Sequence, residues 1–279
     1  MNETEVNGDR SSRGRTWFEA LVGTKCKLLC PIGSVLAGDT DLGGDRVRYL
    51  AVVPDPENRF PRARSGEVGL EEGWYVAKHI REVMDEHQAG ARRPIIAIVD
   101  VPSQAFGRRE ELLGIFLACA AAASAYADAR FAGHPVISLV VGNALSGGFL
   151  AHGYQANRIL AFDHPGVVIH AMGKQAAARV TKRSVAELDE LAGKVLPLSY
   201  DIGAFARLGI LHVLIQGVNA DAPTEADIKK VEEALERAIA DARAGSRTLE
   251  NRLGSPQAMQ TRKASIEVRR LLIAQWRGS

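Results

Sequence analysis

Small and polar residues gather between two apolar segments, in the run from Gly142 to Phe149 (GNALSGGF). The run follows a stretch typical of a buried strand and leads into one typical of a helix. The first N–H groups of a helix have no partner within it and lie at its positive end, so they can hold a developing oxyanion. Glycines leave room for a carbonyl group because they lack a Cβ. The run predicts an oxyanion hole formed by the backbone N–H groups of Gly147 and Gly148, or else only a tight turn.

Ser146 stands directly before the two glycines, and two roles are open to it. As a hydrogen-bonding wall, its hydroxyl would help to hold a substrate. As a nucleophile, it would belong to the strand-to-helix motif of the α/β-hydrolases, with Asp201 and His212 following in the required order. Ala144 replaces the first glycine of that motif and no upstream His-Gly oxyanion loop is present, so the hydrolase interpretation is the weaker one.

His152 lies about one helical turn beyond Gly148 and can therefore point back toward the proposed hole. An imidazole titrates in a range that suits a general acid, so His152 is a candidate donor of a proton to an enolate. The alternative is a histidine held in the core by hydrogen bonds. His164 and His170 fall in predicted strands and are weaker candidates for the same role.

Charge and cysteine content exclude several classes of function. The 35 basic and 33 acidic residues are interspersed along the chain, so no broad basic surface for nucleic acid is expected. The polar residues 1–15 do not resemble an export signal, and no apolar run approaches the roughly 20 residues that cross a bilayer, which predicts a cytoplasmic protein without a membrane span. Cys26, Cys30 and Cys119 lack the further ligands of a structural zinc site, so neither a metal nor a disulfide framework is expected.

Apolar periodicity predicts the elements that must position these residues. Residues 1–15 lack it and are expected to form a disordered tail, followed by a single domain over residues 16–279 with its core at about 35–217. Continuous apolar runs predict two strands buried on both faces, Pro94–Val101 and Pro135–Val141. Strands that alternate with helices imply a layered α/β fold with right-handed crossovers.

Shorter elements fill the rest of the chain. A hairpin and three strands are predicted at Val35–Pro54, Arg158–Asp163, Val167–Met172 and His212–Gln216. Helices are predicted at Leu70–Glu86, Glu110–Phe131, Gly147–Ala156, Lys174–Gly193 and Ser199–Leu208. In the first of these helices, the apolar side is expected to carry Trp74, Ala77, Ile80 and Met84. Within residues 224–276, the amphipathic outer helices Thr224–Arg243 and Ser255–Trp276 are expected to pack on the core or to hold a partner subunit.

Several segments resemble the carboxyltransferase domains of the ClpP/crotonase superfamily. Asp100-Val101-Pro102, followed by the run RREELLGI from Arg108, is similar to the family's strand, loop and glutamate-bearing helix start, although Pro102-Ser103-Gln104 replaces its usual Pro-Gly-Phe turn. Ser146-Gly147-Gly148 resembles the Phe-Gly-Gly-Ala turn whose backbone amides form an oxyanion hole. Ala161–Gly173 and Phe205–Ile215 resemble later strands and the closing helix. The resemblance implies a crotonase-like ββα superhelix with C-terminal amphipathic helices.

The run GNALSGGFLAHG from Gly142 to Gly153, in a chain of single-domain length, is most similar to the biotin-independent malonate decarboxylase gamma subunits. That resemblance implies that this chain supplies one half of an active site and a beta subunit the other. It implies decarboxylation of malonyl on an acyl-carrier-protein subunit to acetyl-carrier protein and CO2, with the substrate on a phosphopantetheine-type thiol arm and no cofactor bound by this chain. Two alternatives stay open: half of a biotin-dependent acyl-CoA carboxyltransferase, and a non-catalytic scaffold subunit.

Overall fold

The computed structural model describes residues 12–24, 28–86 and 91–277. The strands are β1 (Val35–Leu42), β2 (Asp45–Val52), β3 (Ile95–Val101), β4 (Val136–Leu145), β5 (Arg158–Phe162), β6 (Val168–His170) and β7 (Val213–Ile215). The helices are α1 (Arg13–Val22), α2 (Leu70–Asp85), α3 (Arg108–Leu112), α4 (Ile115–Phe131), α5 (Ser146–Ala151), α6 (Lys174–Thr181), α7 (Val185–Lys194), α8 (Ile202–Arg207), α9 (Glu225–Ala244), α10 (Asn251–Gly254), α11 (Pro256–Thr261) and α12 (Lys263–Arg277). Short 3-10 helices lie at Pro61–Ala63 and Leu196–Leu198. No helix in the described ranges is long and apolar enough to span a membrane.

One sheet organises the fold. Its strands lie in the order β1-β2-β3-β4-β5-β7, and β6 pairs with β4 off this path. β1 and β2 form the predicted antiparallel hairpin, whereas the remaining neighbours run parallel. Every residue of the central strand β3 is buried, which explains the apolar sequence that is broken only by Asp100. The predicted α/β class is confirmed.

β4 positions the glycine run and is longer than the apolar pattern predicts. The prediction ends the strand at Val141, but pairing continues to Leu145. The buried Asp100 carboxylate on β3 accepts the N–H of Asn143 at 2.9 Å, and the missing side chain of Gly142 leaves room for that carboxylate. β6 then pairs with residues 143–145. As a result, α5 begins at the outer end of a central strand.

The helix predicted over Glu110–Phe131 is two helices, α3 and α4, separated by Gly114 with φ +85°. Glycine adopts this left-handed conformation without strain, so the break is fixed at that residue. The new direction brings α4 against α2, where a Cβ on Gly73 would lie 2.6 Å from the carbonyl O of Ala118. The two helix backbones therefore touch, and α4 is held beside the sheet.

The predicted helix Leu70–Glu86 is confirmed as α2, but its predicted apolar side is partly wrong. Ala77 and Ile80 are fully buried as expected, whereas Trp74 is 50% exposed. The close approach at Gly73 turns the helix so that Val76 and Val83, and not Trp74, complete the buried stripe. Spacing alone fits both stripes, and only the contact with α4 decides between them.

Two further long helices are divided. The segment predicted as Lys174–Gly193 is α6 and α7, because Lys182 has φ +54° and Ser184 restarts the helix by accepting the N–H of Glu187. The segment predicted as Ser255–Trp276 is α11 and α12. The two outer regions also differ in packing: α9 has a fully buried stripe along its length, while α12 buries no side chain among those described.

The N-terminal region contradicts the predicted tail for residues 13–15, because α1 begins at Arg13. Residues 1–11 lie outside the described residues. Trp17 is fully buried, and its indole N–H donates to the carbonyl of Ala220 at 2.8 Å. The N–H of Gly14 donates to Asp100 at 3.2 Å, so α1 also supports the carboxylate that holds the end of β4.

Candidate active site

The site predicted at Gly147 and Gly148 lies where β4 ends and α5 begins. α5 covers only Ser146–Ala151, so it is shorter than the predicted helix Gly147–Ala156. Ser146 opens it with φ +58°, a left-handed conformation that costs a residue with a side chain on the order of 1–3 kcal/mol. This sharp turn brings the first N–H groups of α5 to the end of the sheet, without partners inside the helix.

A loop after β3 forms the wall that faces these glycines. Val68 donates its N–H to Ser103 at 3.0 Å and accepts the N–H of Ala105 at 2.9 Å, which makes a single parallel bridge between Val68 and Gln104. In such a bridge the N–H of Gln104 itself points away from Val68. A Cβ on Gly148 would overlap the peptide group that joins Ser103 and Gln104. Gly148 is therefore required for contact between α5 and the loop.

The side chain of Gln104, a residue that the sequence motifs do not single out, lies over Gly147. A Cβ on Gly147 would overlap Oε1 of Gln104 and lie 2.7 Å from its Cδ. Within the described part of the chain, neither the carboxamide nor the backbone N–H of Gln104 has a hydrogen-bond partner. The available signal was the departure at Pro102-Ser103-Gln104 from the Pro-Gly-Phe turn. That departure places an amide beside the proposed hole.

An open cavity of about 460 Å³ extends from Gln104 and Gly147 into the groove between α4 and α5. Its other walls are mostly apolar and belong to Glu111, Ile115, Phe116, Cys119, Ala120, Ala123, Leu150, Ala151, Tyr154 and Gln155. Burial, with a smaller effect of Glu111, raises the pKa of the Cys119 thiol to about 11. That thiol stays protonated near neutral pH and is a poor nucleophile.

The other cysteines give no metal site in the described ranges. Burial likewise raises the pKa of Cys30 to about 11, and Cys30 and Cys119 are free thiols. Cys26 lies outside the described residues. No group of three or more His, Cys, Asp or Glu residues that could hold a metal ion occurs among the described residues.

His152 does not reach the proposed hole, which contradicts its predicted role as a proton donor. It is fully buried behind α5, where Nε2 donates to the carbonyl of Ile98 at 3.0 Å and Nδ1 accepts from the hydroxyl of Tyr126 at 3.0 Å. Burial, opposed by the bond to Ile98, lowers the pKa of His152 to about 4. α5 ends at Ala151, so the helical extrapolation from Gly148 fails at this residue. His152 is the hydrogen-bonded core histidine of the alternative interpretation.

The three residues of the hydrolase interpretation are not brought together. Asp201 caps α8 by accepting the N–H of Ala204 at 2.8 Å. His212 donates its N–H to Ile159, which is level with Ser138 on β4, and its ring lies 4.0 Å from Asp241. Ser146 is eight residues further along, roughly 26 Å at about 3.3 Å per residue. Ser146 therefore has no base within reach from that pair.

Two other histidines were weaker candidates. In the register of β4 with β6, His170 is the partner of Leu145, the residue before Ser146. Its ring stacks on Tyr200 with centroids 4.0 Å apart, and burial lowers its pKa. His164 accepts the N–H of Gly166 in an exposed turn. The backbone therefore places His170 close to the turn at Ser146, whereas His164 stabilises the loop in which it lies.

Comparisons with known proteins show the family of the chain. A family model of the malonate decarboxylase gamma subunit, MdcE, matches residues 63–276. The malonyl-S-ACP:biotin-protein carboxyltransferase MADD of Malonomonas rubra is 31% identical over 223 residues, which cover 74% of this chain and 76% of that protein.

Solved structures extend the similarity to the whole fold. A chain of a Pseudomonas malonate decarboxylase hetero-tetramer in complex with coenzyme A is 52% identical, with a TM-score of 0.90 over 95% of this chain and 100% of that one. A chain of the Pseudomonas MdcD-MdcE hetero-dimer is 51% identical, with a TM-score of 0.87 over 95% and 100% of the two chains.

A more distant structure shows the fold alone. A chain of transcarboxylase 12S is 21% identical, with a TM-score of 0.54 over 74% of this chain and 36% of that one. The predicted crotonase-like carboxyltransferase fold is confirmed. Since the family match includes the loop at Gln104, the glycine turn and the outer helices, the chain belongs to the malonate decarboxylase gamma-subunit family.

Proposed function

We propose that this chain, paired with a beta subunit, removes CO2 from malonyl thioesters on an acyl-carrier protein and leaves acetyl-carrier protein. The observation that supports the proposal is the contact of Gly148 with the Ser103–Gln104 peptide, where a loop meets a helix start whose first N–H groups have no partner among the described residues. Family membership supports the same reaction, as does the relative MADD, whose substrate is malonyl-S-ACP.

The reaction needs charge stabilisation more than any other catalytic device. The bond between the α-carbon and the carboxylate carbon breaks, its electrons form the enolate, and negative charge collects on the thioester oxygen. We assign the backbone N–H groups of Gly147 and Gly148 to that oxygen, because preformed donors stabilise charge that develops in the transition state. Loss of one such donor typically costs about 2.7–4 kcal/mol.

Two side chains act around that hole in the proposal. Ser146 forms a hydrogen-bonding wall and is not a nucleophile. The carboxamide of Gln104 donates a hydrogen bond to the malonyl group and helps to hold it against Gly147. The enolate carbon finally takes one proton, and His152 is not its source because it is buried behind α5 with both ring nitrogens engaged.

We propose that the chain binds no cofactor of its own. An enolate on a thioester is stabilised by hydrogen bonds, so the step requires no additional electron sink. The phosphopantetheine-type thiol arm of the carrier protein brings the substrate. The mostly apolar cavity between α4 and α5 offers a surface from which water is excluded once a partner closes it, which strengthens the hydrogen bonds of the hole.

The test is reconstitution from purified subunits. We expect the chain alone to release no measurable CO2 from malonyl-carrier protein, and to do so after addition of the beta subunit. The expectation follows from the half-site and from the assembly of a Pseudomonas relative with MdcD. Robust turnover by the chain alone would contradict the two-subunit proposal.

A second candidate function is transfer of the carboxyl group to a biotin protein, which is the reaction named for MADD. In that reaction CO2 is not the immediate product, because the carboxyl group remains on biotin. Avidin separates the two candidates. CO2 release by the two reconstituted subunits that is unaffected by avidin supports the direct decarboxylase. Consumption of malonyl-carrier protein that requires an added biotin protein and is blocked by avidin supports the carboxyltransferase.

A further inference from the structure

We infer that His170, at the end of β6, is the acid that delivers the proton to the enolate carbon. The inference rests on the proposed function, which leaves that donor unassigned. Loss of CO2 leaves the electrons of the broken carbon–carbon bond on the α-carbon, which must gain one proton before acetyl-carrier protein is formed. In the inferred step, the Nε2–H bond of the His170 imidazolium breaks and a C–H bond forms at the α-carbon. The neutral ring then takes a new proton from water.

The pairing of β6 with β4 brings His170 to the glycine turn. His170 is the register partner of Leu145, and Gly147 follows Leu145 by two residues. Paired strands lie about 4.8 Å apart and consecutive Cα atoms about 3.8 Å apart, so at most roughly 12 Å separates the Cα atoms of His170 and Gly147. A malonyl group whose thioester oxygen meets the N–H of Gly147 spans much of that distance. Its α-carbon can therefore come within reach of the imidazole.

The side chain of His170 leaves β6 on the more open face of the sheet. Burial alternates along both strands in the same phase: the partners Ala144 and Ile169 are buried. Leu145 and His170, one residue further on, are half-buried. Successive side chains of a strand point to opposite faces, so His170 lies on the face away from the core residue Ile169. It approaches the turn from the side of β6, whereas the cavity with Gln104 approaches it from the side of α4.

The contacts of the imidazole fix its orientation and leave Nε2 free. Nδ1 lies 3.2 Å from the backbone N of Met172 and 3.1 Å from its carbonyl O, so it can accept in the neutral ring and donate in the imidazolium. The ring stacks on Tyr200, whose hydroxyl donates to the same Met172 carbonyl at 2.6 Å. Nε2 has no hydrogen-bond partner among the described residues. Tyr200 is thus a positioning residue, and Nε2 is available to a substrate.

The charges around His170 favour protonation only when substrate is bound. Burial lowers the pKa of His170, so without substrate the ring is mostly neutral near pH 7. Lys174 lies 5.3 Å from the ring of Tyr200 and pairs with Asp189 at 2.7 Å, and Asp201 caps α8. A malonyl carboxylate adds a negative charge beside the ring and raises its pKa. The substrate therefore charges its own proton donor.

The other histidines in the described ranges are less well placed for this role. His134 and His212 lie at the opposite end of the sheet, directly before β4 and β7. His79 is buried on α2, and His152 has both ring nitrogens engaged. His164 accepts a backbone N–H in an exposed turn. Among the described histidines, only His170 joins a position at the glycine turn to a free ring nitrogen.

The experiment measures two quantities in the complex with the beta subunit: release of CO2 from malonyl-carrier protein, and incorporation of isotopically labelled CO2 into it. His170→Asn removes the acidic Nε2 and keeps an atom that can accept the N–H of Met172. His164→Asn is the matched control, because Nδ1 of His164 likewise accepts the N–H of the residue two positions later, at 3.0 Å. The melting temperature of each complex shows whether it is folded and assembled.

We expect kcat to fall about a hundredfold or more in His170→Asn and to stay within about twofold in His164→Asn. An enolate that waits for its proton has time to recapture CO2. The ratio of labelled CO2 incorporation to net acetyl formation should therefore rise at least about tenfold in His170→Asn. A merely structural role would slow cleavage and recapture together and leave the ratio unchanged.

Retention of at least about a third of kcat in His170→Asn would overturn the inference, and so would a lower kcat with an unchanged ratio. Equal effects of the two asparagine variants would also overturn it. If His170→Asn does not assemble, His170→Gln is measured against the same limits. A wild-type complex that releases no CO2 would refute the proposed function and the inference with it. An active wild type with an equally active His170→Asn would refute the inference alone.

Discussion

Polar side chains on the two sides of α5 differ in their hydrogen bonding. Behind the helix, His152 is fully buried and both of its ring nitrogens are hydrogen-bonded, to Tyr126 and Ile98. In front of it, Gln104 lines an open cavity, with no hydrogen-bond partner for its carboxamide among the described residues. The satisfied side holds the helix to the sheet, and the unsatisfied side is available for a ligand. The six-residue helix α5 therefore lies between a histidine that stabilises the fold and an amide that a ligand can reach.

The contrast also shows why proximity in sequence misleads at this site. His152 follows Gly148 by four positions, yet it faces the core. Gln104 precedes Gly147 by more than forty positions, yet its side chain lies on it. The loop after β3 and the turn after β4 meet because the two strands are parallel neighbours that end at the same edge.

The largest effects are expected at the contact itself, from substitutions of Gly148, beginning with Gly148→Ala. The added Cβ overlaps the Ser103 carbonyl, so α5 and the loop must separate and the hole loses its shape. We expect kcat/KM for malonyl-carrier protein to fall by about a hundredfold or more in the assembled complex. Gly148→Val should fall further, because a branched side chain also blocks the approach of the thioester.

The control for this substitution is Gly193→Ala in α7, where a Cβ meets nothing within 4 Å. It should leave kcat/KM unchanged. A Gly148→Ala complex with unchanged melting temperature and full activity would mean that the glycines form only a turn. That result would support the interpretation of this chain as a non-catalytic scaffold subunit.

Behind α5, His152→Phe should affect stability and not the reaction. The substitution leaves the Tyr126 hydroxyl buried without its partner and removes a hydrogen bond to the Ile98 carbonyl, so the free energy of unfolding should fall by about 1–3 kcal/mol. Adding Tyr126→Phe removes the unpaired hydroxyl and should recover part of the loss. Chemical denaturation measures the free energy of unfolding of the single and the double variant. A His152→Phe complex that unfolds normally but has lost its activity would return His152 to the site.

Wild type and His152→Phe also test how the free energy of unfolding depends on pH. Because burial lowers the folded-state pKa of His152 from the usual 6.5 to about 4, the unfolded chain binds the extra proton first as pH falls. The contribution to stability is therefore fully present above pH 6.5 and is lost as pH falls toward 4. Between these values, wild type should lose more stability than His152→Phe. Parallel curves for the two proteins would mean that His152 is not protected from protons.

In front of α5, we expect a smaller effect from Gln104→Ala, about a tenfold fall in kcat/KM. Removal of one neutral side-chain hydrogen bond costs about 0.5–1.5 kcal/mol, less than the loss of an oxyanion donor. Because the proposed bond holds the malonyl group before and during the reaction, most of the change should appear in KM. Steady-state kinetics give kcat and KM separately. A fall confined to kcat would mean that Gln104 acts only in the transition state.

Ser146→Ala should have the smallest effect, with at least about a third of kcat/KM retained, because backbone N–H groups stabilise the enolate in the proposal. The left-handed backbone at this residue disfavours alanine as it does serine, so folding should change little. Loss of about a thousandfold or more would instead be typical of a missing nucleophile.

Much of the fold is predictable from the sequence because it depends on local patterns. The hairpin at β1 and β2, the buried strand β3 and the turn before Gly147 each follow from apolar runs bounded by turn residues. The position of Gly147 and Gly148 at a helix start after a buried strand is predictable for the same reason, while their role as hydrogen-bond donors stays a prediction.

The remainder depends on contacts between distant segments. Asp100 extends β4 beyond its apolar run, and the approach of α4 at Gly73 rotates Trp74 into solvent. The side chain of Gln104 acquires a role only after the loop and α5 meet. Neither the direction of His152 nor the break at Gly114 is set by apolar spacing, since both depend on a single backbone conformation.

The docking of α1 has a consequence for synthesis of the chain. Trp17 and Arg13 bind Ala220 and Asp221, which lie 203 and 208 residues later. At the usual translation rates of about 5–20 residues per second, those partners are made roughly 10–40 s after α1. The strands on which the apolar side of α1 packs, β1 to β4, are complete once Leu145 has been made, so Phe18 and Leu21 can be buried well before that time. The bonds of Trp17 and Arg13 close later, and they fasten an already packed helix to the segment that precedes α9.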